Sequence, residues 1–199
     1  MMDRVHALLK FWLSLSGLLI LWLPLNAQGQ TAPGKTLDLN EVKLLGIKLS
    51  DAGLNQVRQH LWDIGGFQQA RSTVRQRNID KFFTWSRLRD SYYVEFRYNH
   101  AGKVTSAKRL YRPYSIEASN RRTAISTREV ALGLIAELGQ PHQVMRKGWG
   151  GTLSYSSFIW EDDKMKITVD REGSELLGNV FVEYQVKTQS EYDVAQAAP

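Results

Sequence analysis

The sequence predicts an α+β fold: two tandem units, each a helix followed by a three-stranded antiparallel meander, with the helices packed on one side of the sheet. Three observations predict it. Apolar residues recur at helical spacing twice, at Leu54, Val57, Leu61 and Ile64 and again at Val130, Leu134 and Leu138. Each of these stretches runs into glycine, Gly65-Gly66 in one case and Gly139 in the other. After an intervening loop, each is followed by three runs in which apolar and polar residues alternate, as half-buried strands require.

In the first half, Ser50 or Asp51 is placed to cap the helix, since a short polar side chain there can accept the free N–H groups of the first turn. The strands are expected at 79–86, 91–98 and 103–111. Val94, Phe96 and Tyr98 fall on one face of the second strand, and Tyr93, Glu95 and Arg97 on the other. Residues 87–90 join the first two strands. Asn99-His100-Ala101-Gly102 closes a hairpin between the last two, with Asn and Gly where positive φ costs least.

The second helix opens on a capping box, Ser126-Thr127-Arg128-Glu129, and Pro141 bars its continuation beyond Gly139. Strands are expected at 153–160, 165–170 and 179–186. Met165, Ile167 and Val169 make one apolar row, and Val180, Val182, Tyr184 and Val186 another. Trp85 and Trp160 end the equivalent first strands, so the pattern reads as an internal repeat of roughly 75 residues.

Ahead of these units lies a targeting pattern. Arg4 and Lys10 precede an apolar run over 11–25 that Pro24 interrupts, and Ala27 supplies a small residue at a cleavage point. The run is shorter than the ~18 apolar residues of a spanning helix. Residues 1–27 are therefore expected to be a cleaved signal peptide and the protein to be periplasmic or secreted, with an uncleaved N-terminal anchor as the alternative. The remaining divisions are a flexible leader over 28–40, the first unit over 41–111, a linker over 112–125, the second unit over 126–187 and a disordered tail over 188–199. The chain has no cysteine. That removes disulfides, thiolate chemistry and a lipid carried on cysteine, so a lipoprotein is not expected.

The stretch 158–174, FIWEDDKMKITVDREGS, gathers Glu161, Asp162, Asp163, Asp170 and Glu172. Against the first half, 161–164 matches the turn at 87–90 and 171–174 matches the turn at 99–102. The carboxylates then belong mostly to turns, where Asp bonds the local backbone. They lack the D-x-[DN]-x-[DN]-G rhythm of a calcium loop. An Asp163/Asp170 pair meeting across the hairpin is the alternative, and would suit a hydrolase. His60, His100 and His142 have no zinc spacing, and there is no G-x-S-x-G elbow or phosphate-cradling glycine loop. No catalytic residue, metal ligand or cofactor is assigned.

Binding is better represented. Arginines and tyrosines interleave through the first half, a composition enriched in interface hot spots. Tyr93, Arg97, Arg87 and Arg112 are the candidate contacts, together with Trp149 between Gly148 and Gly150. The plainer reading is a solvated outer sheet face. The net charge of +6 admits an anionic lipid or glycan as partner, or serves solubility alone. Nucleic acid is not expected of an exported chain.

Helix, Leu138-Gly139-Gln140-Pro141, loop and hairpin strands together resemble the SmpA/OmlA group of outer-membrane assembly lipoproteins. Doubled over about 46–187, the pattern resembles the β-lactamase inhibitor protein architecture, whose tandem units form one curved sheet. The missing cysteine departs from the lipoproteins. The resemblance implies a protein-binding module of the bacterial envelope that uses its sheet face or edge loops. The expected function is thus an exported non-enzymatic binding protein contacting another envelope or extracellular protein, with the lipid or glycan binder and the hydrolase as alternatives.

Overall fold

The computed structural model describes residues 38–111, 125–148, 154–172 and 179–187. The segments expected to be a signal peptide (1–27) and a tail (188–199), most of those expected to be a leader and a linker, and the candidate contacts Arg112 and Trp149 lie outside the described residues. A 3-10 turn at Leu39–Glu41 leads into a two-stranded hairpin, β1 (Lys43–Leu44) and β2 (Ile47–Lys48). Helix α1 (Leu54–Ile64) precedes four strands, β3 (Phe67–Gln69), β4 (Ile79–Thr84), β5 (Ser91–Tyr98) and β6 (Val104–Tyr111). Helix α2 (Thr127–Leu138) precedes β7 (Gln143–Lys147), β8 (Tyr155–Glu161), β9 (Met165–Glu172) and β10 (Asn179–Val186).

The tandem three-stranded units are corrected by this topology. The structure holds a single eight-stranded antiparallel sheet in the order β3-β4-β5-β6-β10-β9-β8-β7. The two halves of the chain are joined at its centre, where β6 and β10 pair from Val180↔Tyr111 to Gln185↔Ser106. Two strands were hidden in stretches that look like loops. β3 and β7 are short, and Gln68, Gln69, Gln143 and Arg146 give them no apolar alternation. Both are edge strands, where one ladder of hydrogen bonds suffices and a polar sequence deters further pairing.

The helices also fail to cover the sheet as an equivalent pair. α2 lies against β8, β9 and β10, and its Val130, Ala131, Leu134 and Leu138 are buried. α1 buries Val57 and Leu61 and is tied at its start to the β5–β6 turn, where Gly102 accepts a hydrogen bond from the Leu54 amide at 2.8 Å. Much of the remaining cover comes from the segment before α1. Leu39, Val42, Leu44, Ile47, Leu49 and Ala52 are all buried in the core that holds Phe96, Val94, Val104 and Met165. Fully burying a Leu, Val or Ile side chain of this set contributes about 1.5–3 kcal/mol. Leu39, within the stretch expected to be a leader, is thus part of the core.

The local signals have mixed outcomes. Ser126 and Glu129 form the capping box in full, and Gly139 ends α2 at φ 76°. α1 is capped by Gly53 with no side-chain bond, not by Ser50 or Asp51, which lie in the turn before it. Val94, Phe96 and Tyr98 face the core. No helix among the described residues is long and apolar enough to cross a membrane.

Candidate functional site

Because side chains alternate along a strand, burying Val94, Phe96 and Tyr98 commits Tyr93, Glu95 and Arg97 to the opposite face. Register then selects their neighbours. Glu95 stands opposite Lys108, Arg97 opposite Ser106, and Lys108 opposite Glu183 on β10. These six residues, with Tyr93, Glu95 and Arg97 on β5, line a depression of about 230 Å³ on the open face of the sheet.

Ion pairs fix its walls. Glu95 accepts from Lys81 at 3.2 Å and from Arg97 at 3.0 Å. The Lys81 ammonium also sits 4.2 Å from the centre of the Tyr93 ring. Lys108 pairs with Glu172 and lies 4.1 Å from the centre of the Phe181 ring. Burial, with the nearby Glu172 and Glu95 charges, pushes the Tyr93 hydroxyl up to about 12, so it remains a neutral donor at ordinary pH. The Arg97 side chain is 61% exposed even though its guanidinium is held by Glu95. Farther along the face, Phe83, Tyr92 and Tyr93 form a run of rings with centroids 5.4 and 5.9 Å apart. The arrangement sets a row of aromatic rings beside charges held in ion pairs.

The structure thus brings Tyr93 and Arg97 to one site. Arg87 is elsewhere, exposed in the β4–β5 turn. Its stem lies over Gly66, where a Cβ would stand 2.8 Å from the Arg87 Cγ, and Gly66 itself has φ 79°. Arg112 and Trp149 are outside the described residues. Glu95, Ser106, Lys108 and Glu183 were not singled out from the sequence, although alternation already placed Glu95 and Glu183 on the outer faces. Which outer residues share a neighbourhood depends on the β6–β10 pairing, and nothing local encodes that.

The acidic stretch resolves into separate structural roles. Asp162 forms the β8–β9 turn, its Oδ1 accepting from the Lys164 and Met165 amides at 2.8 and 2.7 Å. Its Oδ2 accepts from the Leu39 amide at 3.1 Å. Glu172 is not a turn residue, because β9 continues through it, and Asp170 lies in that strand as expected. Asp170 is buried and pairs with Lys147. Asp163 precedes β9 while Asp170 lies near its far end, so the two do not meet. Among the described residues no three His, Asp or Glu side chains cluster as metal ligands.

A wider hollow of about 630 Å³ lies at the start of α1, lined in part by Arg58, Arg77 and Lys103. Two of its cations serve the fold: Lys103 donates to the Asp51 carbonyl, and Arg58 is committed to Asp80. Comparison with family models, with curated proteins and with solved structures found no match to this chain.

Proposed function

We propose that this chain is an exported, non-enzymatic binding protein of the bacterial cell envelope, and that it holds another envelope or extracellular protein against the open face of its sheet. The observation that carries the reading is the depression between β5, β6 and β10, where Tyr93 and Arg97 stand on a base of paired charges. Side chains already fixed by Lys81, Glu95 and Lys108 lose little rotamer freedom on binding, so more of the contact energy appears as affinity. The export pattern of residues 1–27 and the envelope proteins that the sequence resembles support the setting.

The test is capture from the envelope extract of the native organism. Tyr93→Ala removes a half-buried ring and Arg97→Ala an exposed side chain, and Glu95 keeps Lys81 as partner in the second. Each should weaken capture by about 2 kcal/mol or more, the range of a hot-spot residue, with urea unfolding unchanged for Arg97→Ala and still cooperative for Tyr93→Ala. Capture at wild-type strength by both variants would remove the sheet face as the binding surface.

A further inference from the structure

Two tryptophans carry the most solvent-exposed large apolar surface among the described residues, Trp62 at 83% and Trp85 at 81%. One lies in the last turn of α1 and the other follows β4, and the backbone of each bonds to the Gly65-Gly66 turn. The Gly65 amide donates to the Trp62 carbonyl at 3.1 Å, and the Trp85 amide donates to the Gly66 carbonyl at 2.9 Å. The end of α1 and the end of β4 are thereby held on either side of Gly65-Gly66.

The adjoining turn is basic. Leu88 packs against the core in the left-handed conformation, φ 52°, and its neighbours Arg87 and Arg89 are left exposed. Neither arginine has an ion-pair partner among the described residues, whereas Asp90 is occupied by Arg109. The sheet-face site differs in kind, since Lys81, Glu95, Arg97 and Lys108 there are all in ion pairs. Here two exposed tryptophans flank the Gly65-Gly66 turn, the Arg87 stem lies over the same Gly66, and Arg89 is exposed two residues farther on.

From this juxtaposition we infer that the Trp62–Trp85 corner is a membrane-contact surface that seats on an anionic lipid bilayer. Indoles partition to the boundary between headgroups and acyl chains, where the ring is desolvated and the N–H stays wet. Unpaired arginines at the same level meet lipid phosphates. Two projecting rings fit a soft interface, whereas a protein partner needs shaped pockets to bury them. The inference is independent of the sheet-face reading, because it uses other residues at an edge of the sheet.

The absence of cysteine makes a clean test. A nitroxide is attached at Gln68→Cys, exposed on β3 beside this corner, or at Val144→Cys, exposed on β7 at the other edge of the sheet. Seven strand spacings of about 4.8 Å separate those edges. The chain is purified after export, in the N-terminal form the cell leaves. It is mixed with vesicles of phosphatidylglycerol and phosphatidylcholine in equal parts. The Gln68 label should become shielded from a water-soluble nickel relaxant while the Val144 label stays accessible. Trp62→Ala/Trp85→Ala should weaken vesicle partitioning by roughly tenfold or more, and Arg87→Gln/Arg89→Gln should do so only on the anionic vesicles. No shielding, equal shielding at both labels, or shielding unchanged by the tryptophan pair would overturn the inference. So would concentration-dependent immobilisation of the Gln68 label without lipid, which would mean that a second copy covers the corner.

Discussion

Arg58 on α1 and Asp80 on β4 form a two-pronged ion pair, Nε to Oδ2 at 2.8 Å and Nη2 to Oδ1 at 2.7 Å. Asp80 is fully buried, and it also accepts from Gln69 at 2.6 Å and from the Tyr98 hydroxyl at 3.1 Å. A single carboxylate thus ties α1, β3, β4 and β5 together. Removing one partner strands a buried charge, which costs about 3–5 kcal/mol. Arg58→Ala is expected to lower unfolding stability by about that amount. Arg58→Met/Asp80→Leu should lose less than Arg58→Ala alone, because neither charge remains. Urea unfolding of both variants checks this.

Stability should fall in alkali. Burial raises the hydroxyls of Tyr98, Tyr184 and Tyr111 above their usual value, and the Asp80 charge adds to the effect at Tyr98. In the unfolded chain these groups ionise near pH 10, while in the native state they keep their protons. The unfolded state then binds fewer protons, so the contribution is complete below about pH 10 and is lost as pH rises through the raised values. Each such tyrosine contributes a slope of about 1.4 kcal/mol per pH unit in that window. Urea midpoints measured from neutral pH upward should bend down above about pH 10, and Tyr184→Phe should reduce the bend. A flat profile would contradict the burial of these hydroxyls.

Asp162 is expected to act as a clasp for the N-terminal segment. Asp162→Ala removes the acceptor for the Leu39 amide and two turn amides. The cost should be about 1–2 kcal/mol. The specific sign is faster hydrogen exchange at the Leu39 and Met165 amides, with exchange in α2 unchanged. Asp162→Asn keeps one carbonyl oxygen and should lose about half as much.

Trp160 is buried, and its indole N–H donates to the Gly139 carbonyl at 2.9 Å, joining β8 to the end of α2. Trp160→Phe preserves most of the packing but leaves that carbonyl without its donor, at a cost of about 1–3 kcal/mol. Ser126→Ala, at the other end of α2, should cost about 1 kcal/mol. The two sites lie at opposite ends of a helix and touch no common group, so the double variant should be additive within about 0.5 kcal/mol in thermal or urea unfolding.

Elements governed by neighbours in the chain were legible. Helical spacing located α1 and α2, the Ser126–Glu129 capping box marked where α2 starts, and period-2 alternation oriented Val94, Phe96 and Tyr98 toward the core. β3 and β7 were not legible, because an edge strand of three or five mostly polar residues has no pattern of its own. The buried role of Leu39 to Ala52 was also hidden, since these residues belong to neither long helix nor long strand.

By itself, then, the sequence determined local conformation and which side of each long strand is apolar, because steric preference and periodicity act over a few residues. It also placed Tyr93 and Arg97 on one outer face. Only the tertiary structure decided that Lys108 would meet Glu172, that Tyr93 and Arg97 would share a depression with Glu183, and that Trp62 and Trp85 would flank one turn. These contacts follow from strand order and register. Those are selected by the free energy of closing one common core, a sum over distant residues that no single stretch contains.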